Sequence, residues 1–87
     1  MRNHEVIIKP VITEAVWDLI ELENKIVFEV VKAANKPIIK KAVEELYNVR
    51  LTKVRTYITP LGVKRAICSL ALEYSASDLA TELNLFG

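Results

Sequence analysis

Apolar residues in this 87-residue chain fall into short blocks whose spacing switches between the period of a strand and the period of a helix. Glu5 to Lys9 reads as a strand, and Pro10 ends it because proline has no N–H to give to a ladder. Thr13 stands as an N-cap, with Glu14 in the first turn where the helix dipole favours an anion. Val16, Trp17, Leu19 and Ile20 then form an apolar stripe at helical spacing up to about Leu22. Asn24-Lys25 reads as a turn, and Ile26 to Val31 as a strand that is apolar on both parities, hence covered on both faces. Asn35 caps a second helix and Pro37 is tolerated in its first turn, where a missing N–H breaks no bond. Its buried stripe is Ile38, Ile39, Ala42, Val43 and Leu46, with Tyr47 at the border. Its outer face carries Lys36, Lys40 and Lys41, with Lys40–Glu44 and Lys41–Glu45 as i,i+4 pairs in the weaker order.

From Leu51 to Thr59 the pattern alternates: Thr52, Val54, Thr56 and Ile58 on one parity, Lys53, Arg55 and Tyr57 on the other. Thr59-Pro60-Leu61-Gly62 is a hairpin turn, in which glycine can take positive φ. Lys64 to Tyr74 returns as the partner strand, with Ala66, Cys68, Leu70 and Leu72 on one parity. Ser75-Ala76-Ser77-Asp78 resembles a capping box ahead of Leu79, Leu83 and Phe86, a third helix. The order is β-α-β-α-β-β-α, an α/β chain. With helices expected on both faces of a small sheet, a three-layer α/β/α sandwich is favoured over a two-layer ferredoxin-like arrangement.

Composition narrows the classes. With 52% hydrophobic and 26% charged residues, and two glycines and three prolines, residues 1–87 read as one ribbon-tight domain with no linker or low-complexity tract. A chain of this size buries only roughly 60–65% of its unfolded surface, so a partner is expected to complete its stability. No apolar run approaches the about 20 residues of a membrane span. One cysteine, Cys68, excludes an internal disulfide, and with the lone His4 it cannot build a zinc site, so no metal or cofactor is expected. Catalysis finds no support either: the only glycines are Gly62 and Gly87, His4 has no neighbouring nucleophile, and Cys68 sits on an apolar strand parity.

Charge changes the picture most. Twelve Lys/Arg against eleven Asp/Glu leave a formal charge of +1. By segment, however, residues 1–31 hold three cations against six carboxylates, residues 32–65 nine against two, and residues 66–87 none against three. Positive charge in one contiguous third suits phosphate neutralisation, which releases condensed counterions. Lys53, Arg55 and Tyr57 alternate along one strand, and the hairpin returns Lys64 and Arg65 close to Arg55. That predicts four cations around one aromatic, a combination able to grip phosphates and stack on an unpaired base. Lys36, Lys40 and Lys41 add positive charge near a helix start. The bland alternative is a strand edge protected by ordinary solvated cations.

Several ordered blocks then carry a resemblance: Ile8-Lys9-Pro10-Val11-Ile12-Thr13-Glu14, Asn24 to Val30, Ala34 to Tyr47, Lys53 to Gly62, and Lys64-Arg65-Ala66-Ile67. Over nearly the whole chain they resemble the large-subunit ribosomal protein family numbered twenty-three. The resemblance implies the same element order with an antiparallel sheet. It also implies a structural, non-enzymatic constituent of cytoplasmic ribosomes that binds large-subunit rRNA beside the polypeptide exit tunnel, among neighbouring large-subunit proteins. There the family helps form the platform where signal recognition particle and nascent-chain chaperones dock. The short turn from Thr59 to Gly62 resembles the archaeal and eukaryotic-cytosolic branch. Carried over by position, Lys36, Lys40, Lys53, Arg55, Thr56, Lys64 and Arg65 are expected rRNA contacts, and Glu14 an expected docking contact. The chain departs from the pattern at Ala15, Arg55, Leu61, Val63, Cys68 and Ser69. These departures, with apolar Leu61, Val63 and Leu85, motivate a competing reading: a divergent paralogue acting as a protein-interaction module or homodimer.

Overall fold

Three helices begin at caps legible in the sequence. Thr13 Oγ1 accepts the N–H of Val16 at 3.3 Å, Asn35 Oδ1 that of Ile38 at 3.0 Å, and Ser75 Oγ that of Asp78 at 3.1 Å. Each satisfies an orphan donor at the third helical position and stabilises its helix by about 1 kcal/mol. Two helices end on asparagine in the left-handed region, Asn24 and Asn48, both with φ of 54°.

A computed structural model describes residues 2–84, the last of them by backbone alone. Its elements are α1 (Asn3–Val6), β1 (Ile7–Pro10), α2 (Glu14–Glu23), β2 (Lys25–Val30), α3 (Lys36–Tyr47), β3 (Leu51–Ile58), β4 (Lys64–Leu70) and α4 (Ala76–Asn84). Leu85 and Phe86, to which the sequence pattern assigned a surface and a helix stripe, lie outside the described residues.

The strands form one sheet in the order β1-β2-β4-β3, with every neighbouring pair antiparallel. β3 reaches its edge because α3 carries the chain from β2 across to the far side of β4. Register divides the sheet into two faces. Ile26, Phe28, Val30, Val54, Ala66, Cys68 and Leu70 share one face and are buried against α3, whose Ile39, Ala42 and Val43 are fully enclosed. The Tyr47 ring stacks on Phe28 there, centroids 5.1 Å apart and planes 10° from parallel. α1 packs beside α3, tied to it by Asn3 Nδ2 donating to Glu45 Oε1 at 2.8 Å. On the opposite face α2 and α4 pack on each other and against β2, which accounts for the burial of Val27. The three-layer α/β/α arrangement expected from the element order is therefore present, with an antiparallel sheet.

Some local expectations do not hold. The first strand is displaced: Glu5 and Val6 belong to a helical turn, closed by the Glu5 N–H donating to Arg2 O at 2.9 Å, and pairing begins at Ile7. β4 stops at Leu70 rather than Tyr74, leaving Leu72 98% exposed. Leu46 turns outward, 42% exposed. A register shift between Leu51 and Lys53 bulges β3 at Thr52, so the strict alternation is kept only from Lys53 onward. The two i,i+4 pairs on α3 do not form, because Glu44 Oε2 accepts the Leu51 N–H at 2.9 Å and Glu45 accepts from Asn3.

Candidate nucleic-acid interface

Part of the basic third of the chain gathers along the edge strand β3, on both faces of the sheet. α3 brings Lys36 and Lys40 against the edge strand β3, and with Pro37, Thr52, Lys53 and Val54 they line a shallow groove of about 410 Å³. Lys36, Lys40, Lys53 and Arg55 are all exposed. Around the edge, register places Lys53, Arg55 and Tyr57 opposite Ser69, Ile67 and Arg65 on the face that α3 does not cover. α2 and α4 cover the β2 side of that face, and Lys53, Arg55 and Tyr57 remain in solvent.

The expected cluster of four cations around one aromatic is only partly assembled. Arg55, Arg65 and Tyr57 share a face with Lys53, but Lys64 lies on the other one. Its Nζ donates to Ala34 O at 2.7 Å and Lys32 O at 3.2 Å, clamping the loop ahead of α3. Adjacent strand residues point to opposite faces, so Lys64 and Arg65 cannot join one cluster. Thr56 shares the Lys64 face and is half-buried.

No described carboxylate pairs with these cations. Among the described residues the ion pairs are Lys9–Glu29 and Lys25–Glu23, His4 lies 4.0 Å from Glu5, and no cation of residues 32–65 pairs with a carboxylate. The two acidic residues of that segment are turned to other work, Glu44 on the Leu51 amide and Glu45 on Asn3. Arg65 has its Nε buried without a partner among the described residues. An unmatched buried donor costs about 1–3 kcal/mol, more when charged. It borders a recess of about 430 Å³ lined also by Lys9, Thr13, Glu29 and Leu83. Lys9 enters this surroundings only through strand order, which no local pattern in the sequence reveals.

Negative charge collects elsewhere. α2 carries Glu14, Asp18, Glu21 and Glu23, α4 carries Asp78 and Glu82, and neither helix has a Lys or Arg. The acidic residues of these two helices thus form one layer, because α2 packs on α4. Glu14 is exposed at the first position of α2. Cys68 is fully buried in the sheet, where desolvation pushes its thiol up to about 12, the state of a packing residue rather than a nucleophile.

A family model described as ribosomal protein L23 matches residues 5–75. The chain is 43% identical over 86 residues to the large ribosomal subunit protein uL23 of Methanobrevibacter smithii, covering 99% of this chain and all of the relative. It is 40% identical, with the same coverage, to the large ribosomal subunit protein uL23 of Methanothermobacter thermautotrophicus. The chain belongs to the ribosomal protein L23 family. The L23 match spans every strand and α3, so both faces of the basic edge lie inside it, whereas α4 follows the matched segment and is covered by the two full-length relatives.

Proposed function

We propose that the chain is a structural, non-catalytic constituent of the large ribosomal subunit, which binds large-subunit rRNA through the α3–β3 side and adjoins neighbouring large-subunit proteins. The observation that carries this reading is the gathering, around a free strand edge, of cations that make no ion pair among the described residues, while Glu44 and Glu45 are engaged elsewhere. A polyanion supplies the missing counter-charge. Lys36, Lys40 and Lys53 would neutralise phosphates along the groove, Arg55 and Arg65 those crossing the open strand face, and the Thr56 hydroxyl would bond a phosphate or ribose oxygen. Lys64 would act mainly by fixing the loop at Lys32 to Ala34 while adding its charge. Such contacts position a protein on RNA without reading bases.

The acidic α2–α4 layer is repelled by phosphate and would face away from the rRNA. Glu14, exposed on that layer, would serve as a docking contact for signal recognition particle and nascent-chain chaperones beside the exit tunnel. Replacing Lys53, Lys64 and Arg65 together with Glu is expected to abolish co-sedimentation with large subunits. Undiminished co-sedimentation would overturn the assigned contacts, and a native protein found only as a free dimer would favour a protein-interaction paralogue. Glu14→Lys is expected to leave subunit association intact and weaken binding of signal recognition particle to the assembled particle.

A further inference from the structure

Four residues lie abreast across the sheet on the face away from α3: Lys9 in β1, Glu29 in β2, Arg65 in β4 and Tyr57 in β3, each the register partner of the next. Lys9 Nζ and Glu29 Oε2 stand 3.8 Å apart and neutralise one another. That leaves Arg65 on the interior strand β4 beside Tyr57 on the free edge strand β3, with Arg55 two positions before Tyr57 on the same face. Tyr57 is 39% exposed, whereas the ring of Tyr47 is stacked on Phe28 over the core. Packing therefore explains Tyr47 and does not explain Tyr57. An uncovered aromatic flanked by two guanidinium groups without carboxylate partners among the described residues is a stacking surface with its own phosphate clamps.

We propose that Tyr57, Arg55 and Arg65 bind an unpaired RNA nucleotide, its base stacked on the Tyr57 ring and its phosphates held by the two arginines. An A-form duplex hides its base faces, so an aromatic on an open strand gains nothing from it, while the lysines of α3 attract paired and unpaired RNA alike. The proposal rests on the rRNA reading above and adds that the RNA element includes a loop, bulge or splayed base at this edge.

The test is fluorescence anisotropy of the full chain with a labelled RNA hairpin bearing a large loop and with a fully paired duplex of equal length. Tyr57→Leu keeps an apolar strand residue and is expected to bind the loop RNA about tenfold more weakly, with duplex affinity and salt dependence unchanged. Tyr57→Phe is expected to bind like the wild type, and Arg55→Gln to weaken both RNAs while lowering the salt slope by roughly one. Equal loss on loop and duplex, or no loss on either, would overturn the stacking site. Unaltered RNA binding by Tyr57→Leu with failed subunit assembly would also overturn it, by assigning Tyr57 to a protein neighbour. The rRNA reading itself fails separately, if the wild-type chain binds neither RNA at low salt.

Discussion

Asn24 Oδ1 accepts the backbone N–H of Ala76 at 2.7 Å, joining the end of α2 to the start of α4 across 52 positions of sequence. The same side chain donates through Nδ2 to Tyr74 O at 2.9 Å and lies 3.4 Å from the carbonyls of Leu70 and Ala71. Its own carbonyl accepts the Leu70 N–H at 3.1 Å. One residue in the left-handed region thus closes a helix, ends a strand and caps the turn that carries the acidic layer. Asn24→Gly keeps the backbone conformation and removes the side-chain bonds, so it is expected to lower stability by about 1–3 kcal/mol. Asn24→Ala adds the penalty of a Cβ at positive φ and should lose roughly 1 kcal/mol more. Urea unfolding of the two variants checks the order. Equal stability of both with the wild type would show that the turn at Leu70 to Ala76 stands without Asn24.

Cys68 gives a pH signature with a defined sign. Burial raises its thiol from an ordinary 9.0 to about 12 in the folded chain, so on raising pH the unfolded chain loses this proton first. The contribution is complete below about pH 9 and is lost as pH rises toward about 12, at up to about 1.4 kcal/mol per pH unit. Burial shifts the Tyr47 phenol upward as well, which acts in the same direction. Cys68→Ala should therefore be less stable than the wild type near neutral pH, with the gap narrowing as the solution becomes alkaline. Chemical denaturation at stepped pH measures the gap. A thiol reagent should leave the native chain unmodified and label it fully in denaturant.

What could be read from the residues was mostly what local chemistry dictates. Thr13, Asn35 and Ser75 announce helix starts because a short polar side chain there satisfies a backbone donor, and Gly62 announces the hairpin because its φ of 85° suits no other residue as well. What stayed hidden depends on groups far apart in sequence. Val6 looks like a strand residue, yet it is buried where α1 packs on α3. Leu72 continues an apolar parity, yet Asn24 takes up the backbone of the preceding residues and turns the chain away. In the candidate site the grouping of Lys64 with Arg65 overlooked that adjacent strand residues face opposite sides of the sheet, although the cations themselves were legible. The absence of ion pairs on α3 was not, because it follows from Glu44 and Glu45 being claimed by Leu51 and Asn3.

Those unpaired cations make stability and RNA affinity separable. Lys36, Lys40 and Lys53 are exposed and make no ion pair among the described residues, so replacing all three with Gln removes charge without breaking a native contact. Stability is expected to stay within about 0.5 kcal/mol per site or to rise, because like-charge repulsion is relieved. Affinity for an rRNA fragment should fall, with the slope of log K against log salt shallower by roughly two to three. Measuring both on one triple variant is decisive. A large loss of stability would mean that the lysines support the fold, and an unchanged salt slope would mean that phosphates lie elsewhere.

Lys64 and Arg65 are neighbours with opposite expected behaviour. The Lys64 ammonium holds two carbonyls, those of Lys32 and Ala34, and so fixes the loop that delivers Asn35 to the start of α3. Lys64→Met keeps the aliphatic stem on the α3 face and leaves both carbonyls without their charged donor, at an expected cost of about 1–3 kcal/mol. Arg65 has a buried Nε with no acceptor among the described residues, so Arg65→Met removes an unmet donor and is expected to be neutral or mildly stabilising. For RNA binding the order reverses: Arg65→Met should lose more affinity, because its guanidinium lies on the open face with Arg55 and Tyr57 while the Lys64 amine is already engaged. Thermal unfolding and RNA titration of the two single variants test the crossing. If Lys64→Met proved the weaker RNA binder and Arg65→Met the less stable fold, the division of labour between the two faces of β4 would be refuted.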